Sequence, residues 1–444
     1  MLAKGDFVMS KIIYQMALRT FTPQGTISAA TERLAHVASL GVDIVYLCPF
    51  FVQENDPDKA FWSQRQLASQ TGNPKNPYKI ADYFGIDEEY GTAKDLKQFV
   101  KKAHRLGLAV MFDLVYLHCG RSAVFLAEHP DFVERNEDGS IKVPDRWPFA
   151  RLNFQNPALR EYLIAHMLWL VTEFGADGFR CDVGDSVPLD FWQEAFTRVR
   201  AVKPDLIAMN EGHAARHMTF FDMGYSFRWN KIAKAIFEGK EPPEKLFACH
   251  KLECETYGTN NILKMSRMTD NHDLASDVGI NRNELVLSPP GVEAFLTLTY
   301  AYPGVPFLWN GCEFSDTAEN CMFSSRDHGK RSAMDWSRAF TPAGKRRLTY
   351  IRSMHRLYHS SEALQRGTLC PLNHSAQDAV IAFLRQTEQE TVLVVVNTKR
   401  TAISVNLATD LSEATPLLHR GASVTAPDCV RLSAYGYLIA KIGQ

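Results

Sequence analysis

Short apolar runs and amphipathic helical patterns take turns along the first 340 of 444 residues. The run 11–17 precedes a helical pattern at 29–40, and 42–47 follows it. A helix at 92–106 leads to 108–114, one at 156–174 leads to 178–183, and 205–210 comes next. A sixth run is faint, near 223–228; 264–270 and 306–309 supply the last two. Each helix returns the chain to the edge it left, so the strands are parallel. Eight such units within about 350 residues predict a closed (β/α)₈ barrel. The stretch 53–77 reads as a long polar loop, and 121–149, after the third strand, as an irregular insertion. After a final helix at 342–357 the pattern changes. The runs 379–384, 391–396 and 436–440 read as short strands joined by turns, an antiparallel β-sandwich domain. The expected division is a barrel at 1–118 and 153–358, a short insertion at 119–152 and a C-terminal β domain at 359–444.

One stretch stands out, Gly175-Ala176-Asp177-Gly178-Phe179-Arg180-Cys181-Asp182-Val183. Leu163, Met167, Leu170, Val171 and Phe174 share a helix face, Gly175 stops the helix, and a buried strand follows. Arg180 and Asp182 are two apart, so they face the same side. In a barrel that side is the interior, where charge is costly unless paired or used. A structural ion pair is one reading, and an active site at the C-terminal end of the strand is the other. Polar groups at the other strand ends favour the second. Asp113 and His118 end the third strand, Glu211 the fifth, and His272 and Asp273 follow the seventh. No nucleophile elbow and no glycine-rich phosphate loop is present. Paired carboxylates as the strong nucleophile and proton donor point to glycosyl transfer.

Four of these segments resemble the signature regions of the α-amylase superfamily, glycoside hydrolase family thirteen. They are Asp113-Leu114-Val115-Tyr116-Leu117-His118, Gly178-Phe179-Arg180-Cys181-Asp182, the isolated Glu211, and Asn271-His272-Asp273. Supporting matches include Asn76-Pro77-Tyr78, Pro303-Gly304-Val305-Pro306-Phe307 and Met334-Asp335-Trp336, all in the family's order. The resemblance implies a retaining α-glycosidase acting on oligosaccharides or soluble α-glucans through a covalent glycosyl-enzyme. Asp182 would be the nucleophile, Glu211 the general acid/base, and Asp273 the carboxylate that holds sugar hydroxyls. Arg180 would orient Asp182 and keep it ionised. His118 and His272 would bond hydroxyls, and Tyr78 would stack on the sugar ring. Asp113 braces the site in this reading. Trp62 is either a sugar platform or ordinary packing, and Asp316, Arg326 and Arg331 read equally well as solvated loop charges.

Two departures matter. Leu117 stands where many members carry a calcium-binding asparagine, and a leucine offers no oxygen to a hard cation. No cofactor is expected, and the usual structural calcium is in doubt. After Asp182 the chain reads Val183-Gly184-Asp185-Ser186, not the Lys-His of many endo-acting amylases, which leans towards short substrates. A transglycosylase or sucrose-type glucosyltransferase with the same residues is the alternative. A non-catalytic binding subunit is disfavoured, since all three carboxylates are present. The net charge of -1 gives no sign of nucleic acid or an anionic membrane as partner. No apolar run is long enough to span a bilayer, and Asp6 interrupts the N-terminus where a secretory signal would be apolar. Nine cysteines, several in strand-like surroundings, suit reduced thiols and a cytoplasmic location. Cys249 and Cys254 flank His250, but that spacing fits no common zinc pattern. Oligomeric state is not legible.

Overall fold

A computed structural model describes residues 10–144, 147–274, 282–328 and 333–443; Asp6 and Arg331 lie outside them. The repeating strand-then-helix pattern closes on itself. In chain order the strands are β1 (Ile13–Met16), β2 (Ile44–Leu47), β3 (Phe51–Asn55), β4 (Lys75–Ile86), β5 (Ala109–Leu114), β6 (His118–Cys119), β7 (Ala150–Arg151), β8 (Gly178–Cys181), β9 (Ile207–Asn210), β10 (Met223–Tyr225), β11 (Met265–Met268) and β12 (Val305–Trp309). Eight of them pair in parallel as a closed barrel, in the order β1-β12-β11-β10-β9-β8-β5-β2. The faint sixth run is the three-residue β10, shortened because a helix, Phe227–Phe237, begins two residues after it.

Strand alternation sorts the side chains. Ile13, Tyr46, Met111, Met209, Tyr225, Met268 and Phe307 fill the barrel interior. Their neighbours face the surrounding helices and form the main core. The helices end where the sequence punctuates them. Thr92 and Asp95 form a reciprocal cap on Ala93–Arg105. Gly175, at φ 72°, closes Pro157–Phe174 in the left-handed conformation that glycine adopts without penalty. Registry then sets β8 against β5 with Arg180 directly beside Asp113.

The stretch 53–77 is more ordered than its polarity suggested. It holds the end of β3, short helices at Lys59–Phe61 and Gln64–Ala68, and the start of β4, its antiparallel partner. Polar residues are buried here in pairs, which hid the strand pattern. Gln53 N donates to Asp87 Oδ2 at 3.0 Å, and Lys79 Nζ lies 2.5 Å from Glu54 Oε2. The insertion is mostly irregular, with one short pairing, β6 on β7.

Beyond the helix Pro342–Ser360, six strands, β13 (Thr368–Pro371), β14 (Val380–Gln386), β15 (Thr391–Asn397), β16 (Ile403–Asn406), β17 (Thr415–Ala426) and β18 (Cys429–Lys441), form an antiparallel sheet. The long β18 serves both halves, pairing with β15 at one end and β16 at the other. One face, with Phe383, Val394 and Ile439, joins the barrel core. The other, with Val380, Leu393, Val395 and Leu438, encloses a core of its own. Among the described residues no helix is long and apolar enough to cross a membrane. None of the nine cysteines forms a disulfide in the described residues. Cys249 and Cys254 lie on one helix, where Cys254 Sγ is 3.6 Å from His250 Nε2.

Candidate active site

Parallel registry brings the C-terminal ends of all eight barrel strands to one face. Asp182 follows β8 directly and is fixed by its N–H donating to Leu114 O at 2.9 Å; Glu211 follows β9, its N–H on Cys181 O at 3.0 Å. Arg180, fully buried, lies between them. Its Nη1 donates to Asp113 Oδ1 and Oδ2 at 2.7 and 2.9 Å and to Asp182 Oδ1 at 2.9 Å. Its Nη2 is 2.7 Å from Glu211 Oε2, an ion pair in which the N–H is not aimed at the oxygen. Glu211 Oε2 also accepts the Val183 N–H at 2.8 Å. Val183 sits at φ 44°, ψ 40°, a strained position for a β-branched residue immediately after Asp182.

A second chain of contacts orients the opposite side of the cleft. His272 N donates to Gln15 Oε1 at 3.1 Å, which fixes the amide's direction, so Gln15 Nε2 donates to His272 Nδ1 at 2.7 Å. Nδ1 is therefore the acceptor and the ring proton is on Nε2. That proton faces Tyr78 Oη at 2.7 Å, and the Tyr78 hydroxyl in turn donates to Asp113 Oδ2 at 2.9 Å. Tyr46 also donates to Asp113 Oδ2, at 2.6 Å. Asp113 thus braces Arg180 and two tyrosines from full burial. His118 Nε2 is bonded to Tyr78 O at 2.9 Å. Asp273 meets Arg65, a residue of the short helix Gln64–Ala68, at 2.7 Å.

Two guanidiniums, Arg180 and Arg65, thus face four carboxylates. Burial pushes both imidazoles, His118 and His272, down to about 4, so neither adds positive charge near neutrality. Burial likewise pushes Asp182 well above the usual carboxylate range, with Glu211, Asp113 and Asp273 adding to the rise; Arg180 opposes it without prevailing. Glu211 is raised too, by burial first and then by Asp273 and Asp113. Arg180 was expected to keep Asp182 ionised. Its charge is divided among three carboxylates, so it opposes the effect of burial on Asp182 without cancelling it. Asp273 goes the other way: burial raises it, but His272, Arg65 and Arg180 outweigh that and leave it below the usual range.

The groups open into a cavity of about 450 Å³ walled by Tyr78, Trp147, Phe149, Phe227, Met322 and Phe323. Asp182, Glu211, Asp273, Tyr78, His118 and His272 all line it, and Arg180 lies beneath. Trp62 is buried packing, its indole N–H on Asp56 O at 2.8 Å. Asp316 is no solvated charge: it is fully buried on Arg282 at 2.9 Å, whereas Arg326 is exposed and reaches Glu89 O. Leu117 is buried and supplies no oxygen. Glu54 and Asp56, on the hairpin that Gly120 N joins through Ile80 O, are both paired with Lys79. Among the described residues no group of three or more His, Cys, Asp or Glu is placed to hold a metal ion. This donor set does not fit a hard-cation site, and no step below uses one.

The family described as "Alpha amylase, catalytic domain" matches residues 8–139, and "Maltogenic Amylase, C-terminal domain" matches 371–439. Over these two stretches the chain is similar to the α-amylase superfamily. It is 26% identical over 407 residues to a cyclomaltodextrinase of Bacillus sp, covering 84% of this chain and 65% of that protein. It is 23% identical over 429 residues to a maltogenic alpha-amylase of Bacillus acidopullulyticus, covering 88% and 66%. The chain thus spans just under two thirds of the length of these relatives. A crystal structure of a maltogenic alpha-amylase from Thermotoga neapolitana superposes with a TM-score of 0.81 at 23% identity, over 98% of this chain and 99% of that one. Sequence reading missed Gln15 and Arg65. Gln15 carried a signal, a polar residue in an apolar strand, of the kind that exposed Arg180. Arg65 carried none, because its partner is 208 residues away.

Proposed function

We propose that the protein is a retaining α-glycosidase that hydrolyses α-glucosidic bonds in oligosaccharides or soluble α-glucans. The observation that carries this reading is Arg180 set between Asp182 Oδ1 at 2.9 Å and Glu211 Oε2 at 2.7 Å. Two carboxylates gathered by one guanidinium on the wall of one cavity can act on the same bond. Asp182 attacks the anomeric carbon while Glu211 gives its proton to the departing glycosidic oxygen. Glu211 then takes a proton from water, whose oxygen displaces Asp182 from the sugar. Asp273, held ionised, bonds the sugar's hydroxyls and favours the oxocarbenium-like transition state. Nε2–H of His272 and the His118 ring serve hydroxyls, and Tyr78 offers its ring face. The barrel at 1–118 and 153–358 supplies this machinery, the insertion at 119–152 supplies Trp147 and Phe149, and 359–444 backs the barrel. Similarity to proteins named cyclomaltodextrinase and maltogenic alpha-amylase supports the substrate class. Nine free cysteines favour the cytoplasm as its place of work.

The test is product analysis on maltotriose, panose, isomaltose, sucrose and soluble starch, with anomers followed by NMR. Release of the α-anomer is expected. Release of the β-anomer, or no turnover by folded protein, overturns the reading; longer products in place of glucose or maltose would make it a transglycosylase.

A further inference from the structure

Glu211 begins a segment with no regular structure of its own, residues 211–216. A proton donor must nevertheless be placed closely, since a misplacement of about 1 Å costs on the order of 100-fold in rate. Backbone hydrogen bonds tie Glu211 N to Cys181 O and Tyr225 N to Gly212 O, and beyond them the side chain of Asp185 gathers the segment. Its Oδ1 accepts the Asn210 side-chain amide at 2.7 Å. Its Oδ2 accepts the backbone N–H groups of His213 and Ala214 at 2.8 and 2.9 Å. Glu211 is thus bracketed, with the residue before it and two residues after it tied to one carboxylate.

The fit between the two loops is close. A Cβ on Gly212 would lie 2.3 Å from the Asp185 carboxyl carbon, and one on Gly184 would lie 2.2 Å from Asn210 Oδ1. The left-handed turn at Val183 directs the chain after Asp182 so that Asp185 arrives beneath the segment. The same turn aims the Val183 N–H at Glu211 Oε2. Nucleophile loop and proton-donor loop therefore form one interlocked unit, joined through Asp185 and Val183.

We propose that Asp185 is the positioning residue for the proton donor: it fixes Glu211 over the leaving oxygen without touching substrate. This rests on the glycosidase reading above. It makes a prediction that distinguishes it from a general stabilising role. When the leaving group is a sugar, the C1–O bond breaks as Glu211 transfers its proton to that oxygen and Asp182 forms the ester. When the leaving group is fluoride, the C1–F bond breaks and fluoride departs into water as the anion, needing no proton. Displacement of Glu211 slows formation of the glycosyl-enzyme only in the first reaction; the later attack of water is common to both and does not enter kcat/KM.

The experiment compares kcat/KM for maltotriose and for α-maltosyl fluoride in the wild type and in Asp185→Asn. Asparagine keeps the size but has one acceptor oxygen for three donors. The expected result is a fall of about 10- to 100-fold for maltotriose and less than about threefold for the fluoride. Gly212→Ala, which pushes on the same carboxylate, is expected to give the same selectivity and replaces Asp185→Asn if that variant does not fold. An equal fall on both substrates, or no fall on maltotriose, overturns the proposal. A wild-type protein inert towards both would instead overturn the glycosidase reading, and the proposal with it.

Discussion

Two arginines sit fully buried on barrel strands and use that burial in opposite ways. Arg267, on β11, meets one carboxylate. Its Nη1 and Nη2 take Glu253 Oε1 and Oε2 at 3.1 and 2.9 Å, and its Nε donates to Pro303 O at 2.8 Å. Trp229 and Tyr302 flank the guanidinium, and Ser226 completes Glu253. Burial alone would raise Glu253, but Arg267 outweighs it and the carboxyl stays below its usual range. Arg180, on β8, meets three carboxylates, and its Nε has no hydrogen-bond partner among the described residues. Burial raises Asp182 and Glu211, neighbouring carboxylates add to the rise, and the shared Arg180 does not cancel it. The same residue type, equally buried, gives a closed pair in one place and an overloaded cluster in the other. Balanced charge holds the fold, and unbalanced charge leaves carboxyls raised above their usual range, as groups that exchange protons require.

The comparison is broken or sharpened most strongly by neutralising one carboxylate in each cluster. Asp182→Asn is expected to cut kcat by on the order of 10⁴-fold, because the proposed nucleophile is lost. Its stability should move the other way. The folded state raises Asp182 above its unfolded value of about 3.9, so it prefers the protonated form. That preference favours folding below the unfolded pKa and is lost as pH rises through the folded one. Near pH 7 an amide removes a burden, so Tm should rise, and the rise should fade at about pH 4. A large drop in Tm at pH 7 would place Asp182 with the structural pairs. Glu253→Gln is the counterpart. Glu253 is lowered in the folded state, so its contribution is present above the unfolded pKa and lost as pH falls through the folded one. Replacing it leaves Arg267 buried without a counter-ion, at a cost of about 3–5 kcal/mol at neutral pH. Chemical denaturation measures this, while kcat well below Tm should be unchanged. A Glu253→Gln protein as stable as the wild type would mean that charge balance does not separate the two clusters.

The contrast also explains what could be read from the sequence. Arg180 and Asp182 were legible because two charges in an apolar strand have few places to be. Strands and helices were legible wherever one face is apolar, and Gly175 and Thr92 marked helix ends by local chemistry alone. Polar burial in pairs is what hid the rest. β3 disappears because Gln53 and Glu54 are satisfied by Asp87 and by Lys79 and Ser122, all distant in sequence. β17 shows no apolar alternation because nearly all of it is exposed. The charge on Asp182 could not be judged from Arg180 alone, since Glu211 and Asp113 claim the same guanidinium from other strands.

Arg65 extends the comparison to the surface and predicts the smallest effect. It pairs with Asp273 at 2.7 Å, as close as the buried pairs, but the two side chains are 36% and 28% exposed. Solvent screens such a pair, so its worth is about 1 kcal/mol or less. Arg65→Ala should therefore lower kcat/KM by only about fivefold. The loss has a direction in pH. Arg65 helps to hold Asp273 below its usual range, and Asp273 acts ionised. Without Arg65 its pKa rises, so a larger share is protonated in acid, and the deficit should be greater at about pH 5 than at pH 8. Paired pH profiles of kcat/KM test this. A deficit of a thousandfold, equal at both ends, would mean that Arg65 handles substrate itself and that exposure does not rank these arginines.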